Sequence, residues 1–268
     1  MNPVTLHPSI SLLHELATKL NIEGFEKSFK LSHGSLFERR ALIGVTQITQ
    51  YRRAIFNICH LLNMPEEHLQ LFREYFSNAN RVYFAYEETP SICTHKIYLE
   101  FWDYHVSKKS PRHEPFMLYL GFKWDPTANT NNTLTRYTLH PEMSLENILD
   151  KIDEIYPNHS NAQAHSITKK IITTASNKTN ARSLKYLEVT EDNNSRKSFD
   201  INLYDAGLKT HDIYAELIAM QEHYKIDATK FHDFYNSIKQ QEFGHLSGGV
   251  DKSNNDFMTF YYEVNNLT

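Results

Sequence analysis

Glycine is scarce in this chain, with 8 in 268 residues. No GxGxxG or GxxxxGK[ST] spacing occurs, which excludes sites in which a glycine-rich loop brings backbone amides up to a phosphate. Cysteine is scarcer still. Cys59 and Cys93 are the two present. They fit no metal or redox spacing, and a chain of this length buries a core without covalent staples, so both are expected as buried thiols in a reducing compartment. No run approaches the roughly 18 apolar residues that span a bilayer, and MNPVTLHPSISLLHEL lacks a basic region followed by an apolar stretch, so a cytoplasmic protein without a membrane span is expected. Concentrated positive charge is missing too. The formal charge of −4 is spread along the chain, which argues against a nucleic-acid partner.

Aromatic residues are the surplus, at 13% with 16 Tyr and 16 Phe. Their arrangement depends on the order of elements. The first third reads as helix. Ser9 caps a segment running to Leu20, and an amphipathic run from Ser35 to Leu62 places Leu42, Val45, Ile48, Ile55, Ile58 and Leu62 at helical spacing. Pro65 opens a further helix with Glu66 and Glu67 in its first turn. After Asn80 the period falls to two, and four strand pairs follow. RVYFAYEE joins HKIYLEFWDYHV through TPSIC, and FMLYLGFKWD joins TLTRYTLH through PTANTNN. SLKYLEVTED joins SFDINLYD across Asn193 and Asn194, and FGHLSGGV joins DFMTFYYEV around DKSNN. Helix pairs are read in SLENILDKIDEIY and HSITKKIITTA, and again in THDIYAELIAMQEHY and DATKFHDFYNSIKQ. The class is therefore α+β: one domain over 1–268, with a helical segment at 1–79 and a repeating ββ/αα region at 80–268. Its antiparallel sheet of about eight strands is open, strongly curved or closed, with helices on the outer face.

Two stretches, KIYLEFWD and SFDINLYD, pose the functional question. Ile97, Leu99, Phe101, Phe199, Ile201 and Leu203 form an apolar row suited to packing under helices. The opposite row carries rings and charges: Lys96, Tyr98, Glu100 and Trp102, answered by Asp200, Asn202 and Tyr204. Tyr104, Tyr119 and Tyr261 fall on the same side by alternation, and the Asn-Asn turn sets Lys185 opposite Asn202. Lys123 and Arg136 are assigned to it as well. A solvated face with cross-strand ion pairs accounts for such a row, and so does the wall of a ligand cavity.

The pattern resembles the ABBA prenyltransferases, whose αββα units close antiparallel strands into a barrel with the helices outside. INLYD, residues 201–205, is similar to the Val-Asn-Leu-Tyr-Phe strand of bacterial aromatic members, and GHLSGGVDKSNNDFMTFYYEV is similar in shape to their last hairpin. The family has five strand pairs where four are read here. The resemblance implies that an isoprenyl diphosphate is held by Lys, Arg and Tyr side chains inside the barrel and alkylates an aromatic or peptide acceptor. Asn202 and Tyr204 carry over as inward, ligand-contacting residues. With them, Lys96, Lys123, Arg136 and Lys185 are the candidate diphosphate ligands. Tyr98, Trp102, Tyr119, Tyr261 and His245 would shield the allylic cation or contact substrate, and Glu100 would serve as base. A requirement for Mg2+ stays open.

Other signals are weaker. Asp150, Asp153 and Glu154 are the solvated side of an amphipathic helix. The 15 histidines include no HExxH pair, so no metal site is read. His245 stands out because Ser247, Gly248 and Gly249 follow it in a strand, where glycines mark a bulge or a close approach. The rival reading is a non-catalytic protein that uses the aromatic face to bind a small molecule or another subunit.

Overall fold

The computed structural model of the protein describes residues 15, 19–20, 22–88, 93–107, 114–156, 161–192 and 194–265. The Ser9 cap and most of its helix, Asn193 and most of the TPSIC turn lie outside the described residues. Ten strands form five antiparallel hairpins. They are β1 (Ile22–Ser32) with β2 (Ser35–Val45), β3 (Arg81–Glu88) with β4 (Cys93–Glu100), and β5 (Phe116–Asp125) with β6 (Ala128–His140). β7 (Lys185–Glu191) pairs β8 (Lys197–Asn202), and β9 (Phe243–Val250) pairs β10 (Asp256–Asn265). Each strand pairs with its sequence neighbours, and β1 pairs with β10, so the sheet closes into a barrel without edges.

The expectation of about eight strands and a helical segment over 1–79 is corrected by β1 and β2. Leu42 and Val45 belong to a strand whose outward residues Ala41, Ile43 and Val45 are buried. Among the described residues Glu15 is helical, and between β2 and β3 lie α1 (Arg52–Leu61) and α2 (Glu66–Phe76). This extra hairpin and helix pair complete the repeat that the first third had hidden. Between β4 and β5 the described residues hold only a short helix, α3 (Trp102–Ser107), while α4 (Leu145–Ile155) and α5 (Ala162–Ser176) precede β7. α6 (Tyr214–His223) and α7 (Ala228–Ile238) precede β9.

The two large hydrophobic clusters lie outside the barrel, between strands and helices, and a small third one, Leu118, Leu139 and Leu187, adjoins the lumen wall. Phe84, Ile97, Leu99, Phe122 and Trp124 pack with α1 and α2, and the Trp124 Nε1–H donates to the Leu62 carbonyl at 2.9 Å. Phe29, Phe199, Ile201, Leu246 and Phe260 pack with α4 to α7. Alternation then turns the remaining residues of every strand inward.

The register of the third predicted hairpin is found as expected, with Lys185 opposite Asn202 and Leu187 opposite Asp200. For the second predicted hairpin the expectation concerns faces alone, that Lys123 and Arg136 share one. Lys123 pairs with Thr133 and Arg136 with Leu120, so Lys123 faces inward and Arg136 outward. Both aromatic-Asp endings also depart from strand form. β4 stops at Glu100 and Trp102 starts α3, while β8 stops at Asn202 and Tyr204 starts a single 3-10 turn.

Candidate active site

The inward residues enclose a cavity of about 880 Å³ that opens at the end of the barrel where the helices connect. Tyrosines form its wall. Tyr83, Tyr119, Tyr137 and Tyr98 make a chain of edge-to-face contacts at 6.0, 6.1 and 5.8 Å between centroids. Glycine makes room for two rings. A Cβ on Gly121 would lie 2.8 Å from the Tyr98 ring, and one on Gly244 would lie 2.1 Å from that of Tyr204. Burial pushes Tyr98 up to about 12 and raises Tyr119, Tyr137 and Tyr261 as well, so these hydroxyls stay neutral at ordinary pH.

Toward the hairpin-turn end the lumen is cationic. Glu87 on β3 accepts from Arg40 at 2.7 Å and from Lys96 at 2.8 Å, and Glu191 on β7 accepts from Lys123 at 2.9 Å and Arg196 at 2.6 Å. Lys30 and Arg196 stand over the Phe257 ring at 5.0 and 4.7 Å. Five cationic side chains thus share two lumen carboxylates, with Asp251 at the turn end acting on Lys30. Burial lowers Lys96 to about 7 and Lys123 to about 8, despite Glu87 and Glu191. Glu87 is itself held well below the ordinary carboxylate range: burial would raise it, but Arg40 and Lys96 prevail.

The mouth is different in charge. Glu100 accepts from Asn80 Nδ2 at 2.7 Å and from the Tyr83 hydroxyl at 2.6 Å. Glu26 accepts from the Tyr204 hydroxyl, and burial raises its pKa. Asp200 meets His245 at 2.9 Å. The cations here are Arg81, paired with Glu23 at 3.6 Å, and Lys185, whose ammonium lies 5.8 Å from the Trp102 ring.

Most residues expected in the site converge on this one cavity: Lys96, Tyr98, Glu100, Trp102, Tyr119, Lys185, Asn202, Tyr204, His245 and Tyr261 line it. Lys123 lies inward but below the lining, in the Glu191 cluster. Arg136 is not brought there. It sits on the outer face, 41% exposed and paired with Asp192. Tyr104 is on α3, packed toward the helical core. Glu26, Lys30 and Arg40 do not emerge from the sequence pattern, because the β2 segment has apolar residues at helical spacing and β1 shows no clear element. The missed signal is the alternation of Glu26, Ser28 and Lys30 with Phe29 and Leu31, followed by a His33-Gly34 turn with Gly34 at φ +68°. Among the described residues no group of three or more His, Cys, Asp or Glu is placed to hold a metal ion, and no helix is long and apolar enough to cross a membrane.

A closed barrel of antiparallel hairpins sheathed by helices is the architecture of the ABBA-type aromatic prenyltransferases, and the chain has that fold. It is similar to 5-dimethylallyltryptophan synthase from Streptomyces coelicolor, with a TM-score of 0.60 and 12% identity over 89% of this chain and 80% of that one. It is similar also to the prenyltransferase PriB in its apo form, with a TM-score of 0.61 and 14% identity over 89% and 79% of the two chains. A third likeness is to 6-dimethylallyltryptophan synthase from Micromonospora olivasterospora in complex with DMASPP and Trp, at 0.59 and 10% over 89% and 81%. At these identities the likeness is one of fold. No protein-family model and no curated protein sequence matches the chain.

Proposed function

We propose that the protein transfers an isoprenyl group from a diphosphate to an aromatic or peptide acceptor inside its barrel. The observation that carries this reading is the excess of buried cations at the floor of the lumen. Lys30, Arg40, Lys96, Lys123 and Arg196 outnumber Glu87 and Glu191. Uncompensated charge in a buried site is costly, and a diphosphate entering from the mouth offsets it. The 6-dimethylallyltryptophan synthase of like fold was captured with DMASPP and Trp, which supports the same pair of ligand classes here.

In this reading Arg40 and Lys96 hold the diphosphate from below, and Lys185 with Tyr204 and Asn202 closes on it from the mouth. The allylic C–O bond breaks and its electron pair leaves with the diphosphate, whose growing charge the fixed cations stabilise. The faces of Tyr98, Tyr119 and Tyr261 attract the allylic cation and exclude water from it. A new bond forms to the acceptor, which gives up a proton to a mouth carboxylate. Glu100 and Glu26 are the two in position, and the single donor on Glu26 leaves it the freer to take that proton.

The test is direct. Purified protein is titrated with dimethylallyl diphosphate in a calorimeter, then incubated with indoles, phenols and aromatic peptides while diphosphate release and acceptor mass are followed. Saturable binding with a prenylated product is expected; absence of saturable binding rejects the reading.

A further inference from the structure

His245 occupies the mouth in a setting that the transfer itself does not explain. Its Nδ1 lies 2.9 Å from Asp200 Oδ1, and its Nε2 lies 3.3 Å from Asn202 Nδ2. The Asn202 amide is held in that sense because its Oδ1 accepts the Tyr204 backbone N–H at 3.1 Å. An NH2 donor facing Nε2 requires a lone pair there. The ring proton therefore sits on Nδ1 and is donated to Asp200. An imidazole oriented by a carboxylate at one nitrogen, with the lone pair of the other met only by the Asn202 amide at 3.3 Å, has the arrangement of a base. Tyr204 touches both this pair and Glu26, since its hydroxyl donates to Glu26 while its ring stands edge-on to His245 at 5.0 Å.

We infer that Glu26, His245 and Asp200 form one proton-accepting unit, in which the proton lost by the acceptor passes to the Glu26 carboxylate and comes to rest on Nε2 of His245. This rests on the transferase reading. As the acceptor bonds to the isoprenyl carbon, its proton neutralises Glu26. Transfer to Nε2 through a solvent water entering at the mouth then restores the carboxylate and creates an imidazolium held by Asp200. The proton leaves to solvent through the mouth before the next turnover. Asn202 gives up its contact with Nε2 when the proton arrives, so its amide reports the event.

The groups facing His245 favour this. Glu26 from β1 and Asp200 from β8 attract a proton to the ring, while Lys185 from β7 opposes it; Tyr261 from β10 and Tyr204 complete the surroundings. Burial works against the imidazolium, but the two carboxylates outweigh it and the pKa is raised. Burial raises Glu26, and His245 counteracts that rise.

The test has two arms. With 15N-histidine labelling, neutral His245 should show the Nδ1–H tautomer, and its titration should move down by about one pH unit in Glu26→Gln and in Asp200→Asn. An Nε2–H tautomer, or a titration indifferent to both variants, overturns the proposal. In turnover, His245→Gln and Asp200→Asn should lower kcat by about 100-fold and remove one limb of the pH–rate profile, with the Kd for dimethylallyl diphosphate unchanged. Loss of diphosphate affinity and of Tm together, with kcat preserved, overturns it by assigning the pair a structural role. Wild-type protein showing the coupled titration but no transfer from any isoprenyl diphosphate rejects the transferase reading and upholds the proton unit.

Discussion

The two halves of the lumen are built from the same ten strands yet oppose one another in charge. At the floor, cations outnumber carboxylates and share them, one Glu between two basic side chains in each of two clusters. At the mouth each carboxylate is met by neutral donors, by a histidine or by a rim cation. An anion is therefore favoured deep and a proton or cationic group near the opening. In the transfer proposed above, the contrast would separate two tasks, holding the leaving group and receiving the proton.

The floor breaks most readily at Glu87. Glu87→Gln leaves Arg40 and Lys96 without their shared carboxylate and should cost about 3–5 kcal/mol in urea unfolding. Inorganic pyrophosphate should restore part of that loss, whereas the same anion should do little for Glu100→Gln at the mouth. Lys96→Met should weaken dimethylallyl diphosphate by about 10- to 100-fold in calorimetry, through loss of a charge-assisted contact. Tyr119→Phe, a change in the wall, should leave that affinity within about threefold.

Acidity sharpens the same comparison. Lys96 is half-charged near pH 7 in the folded protein because burial lowers its pKa to about 7. Bound diphosphate would favour its charged form, so binding takes up a proton and affinity should fall as pH rises above about 7, by at most about tenfold per unit. Stability moves the other way. Between the folded pKa of about 7 and the ordinary lysine value of 10.5 the unfolded chain binds the extra proton, so stability should rise with pH across that window; in Lys96→Met the rise should be smaller and begin only near pH 8, where Lys123 supplies it. Glu87, held below its ordinary range, contributes stability above the usual carboxylate pKa that is lost as the solution becomes more acidic. The smallest effect on the fold should come from Gly244→Ala. Its Cβ displaces the Tyr204 ring from Glu26 at a stability cost of about 1 kcal/mol, measured by unfolding, while slowing turnover.

Much of the architecture was legible from residue 80 onward because strands with one apolar face keep a strict period of two. Ile97, Leu99, Phe199 and Ile201 mark the helix-covered side, while the row of Lys96, Tyr98 and Asn202 fits a solvated face and a lumen equally until closure of the sheet is known. The first hairpin was hidden for a physical reason. Register shifts between Phe25 and Lys27 and between Ser28 and Lys30 disturb the alternation of β1, and the apolar spacing of β2 runs on into α1 as if one helix covered both. Arg40 and Glu26 were lost with it. Arg136 was misplaced because alternation fixes a face only after the register is known, and the turn of that hairpin is tighter than PTANTNN suggests.

The most direct measurement is a crystal structure with dimethylallyl S-thiolodiphosphate and an aromatic acceptor bound together. The account predicts the diphosphate seated against Arg40 and Lys96, with the acceptor ring between it and the Glu26–His245 side of the mouth. A diphosphate held outside the lumen, or an acceptor seated on the cationic floor, would contradict it.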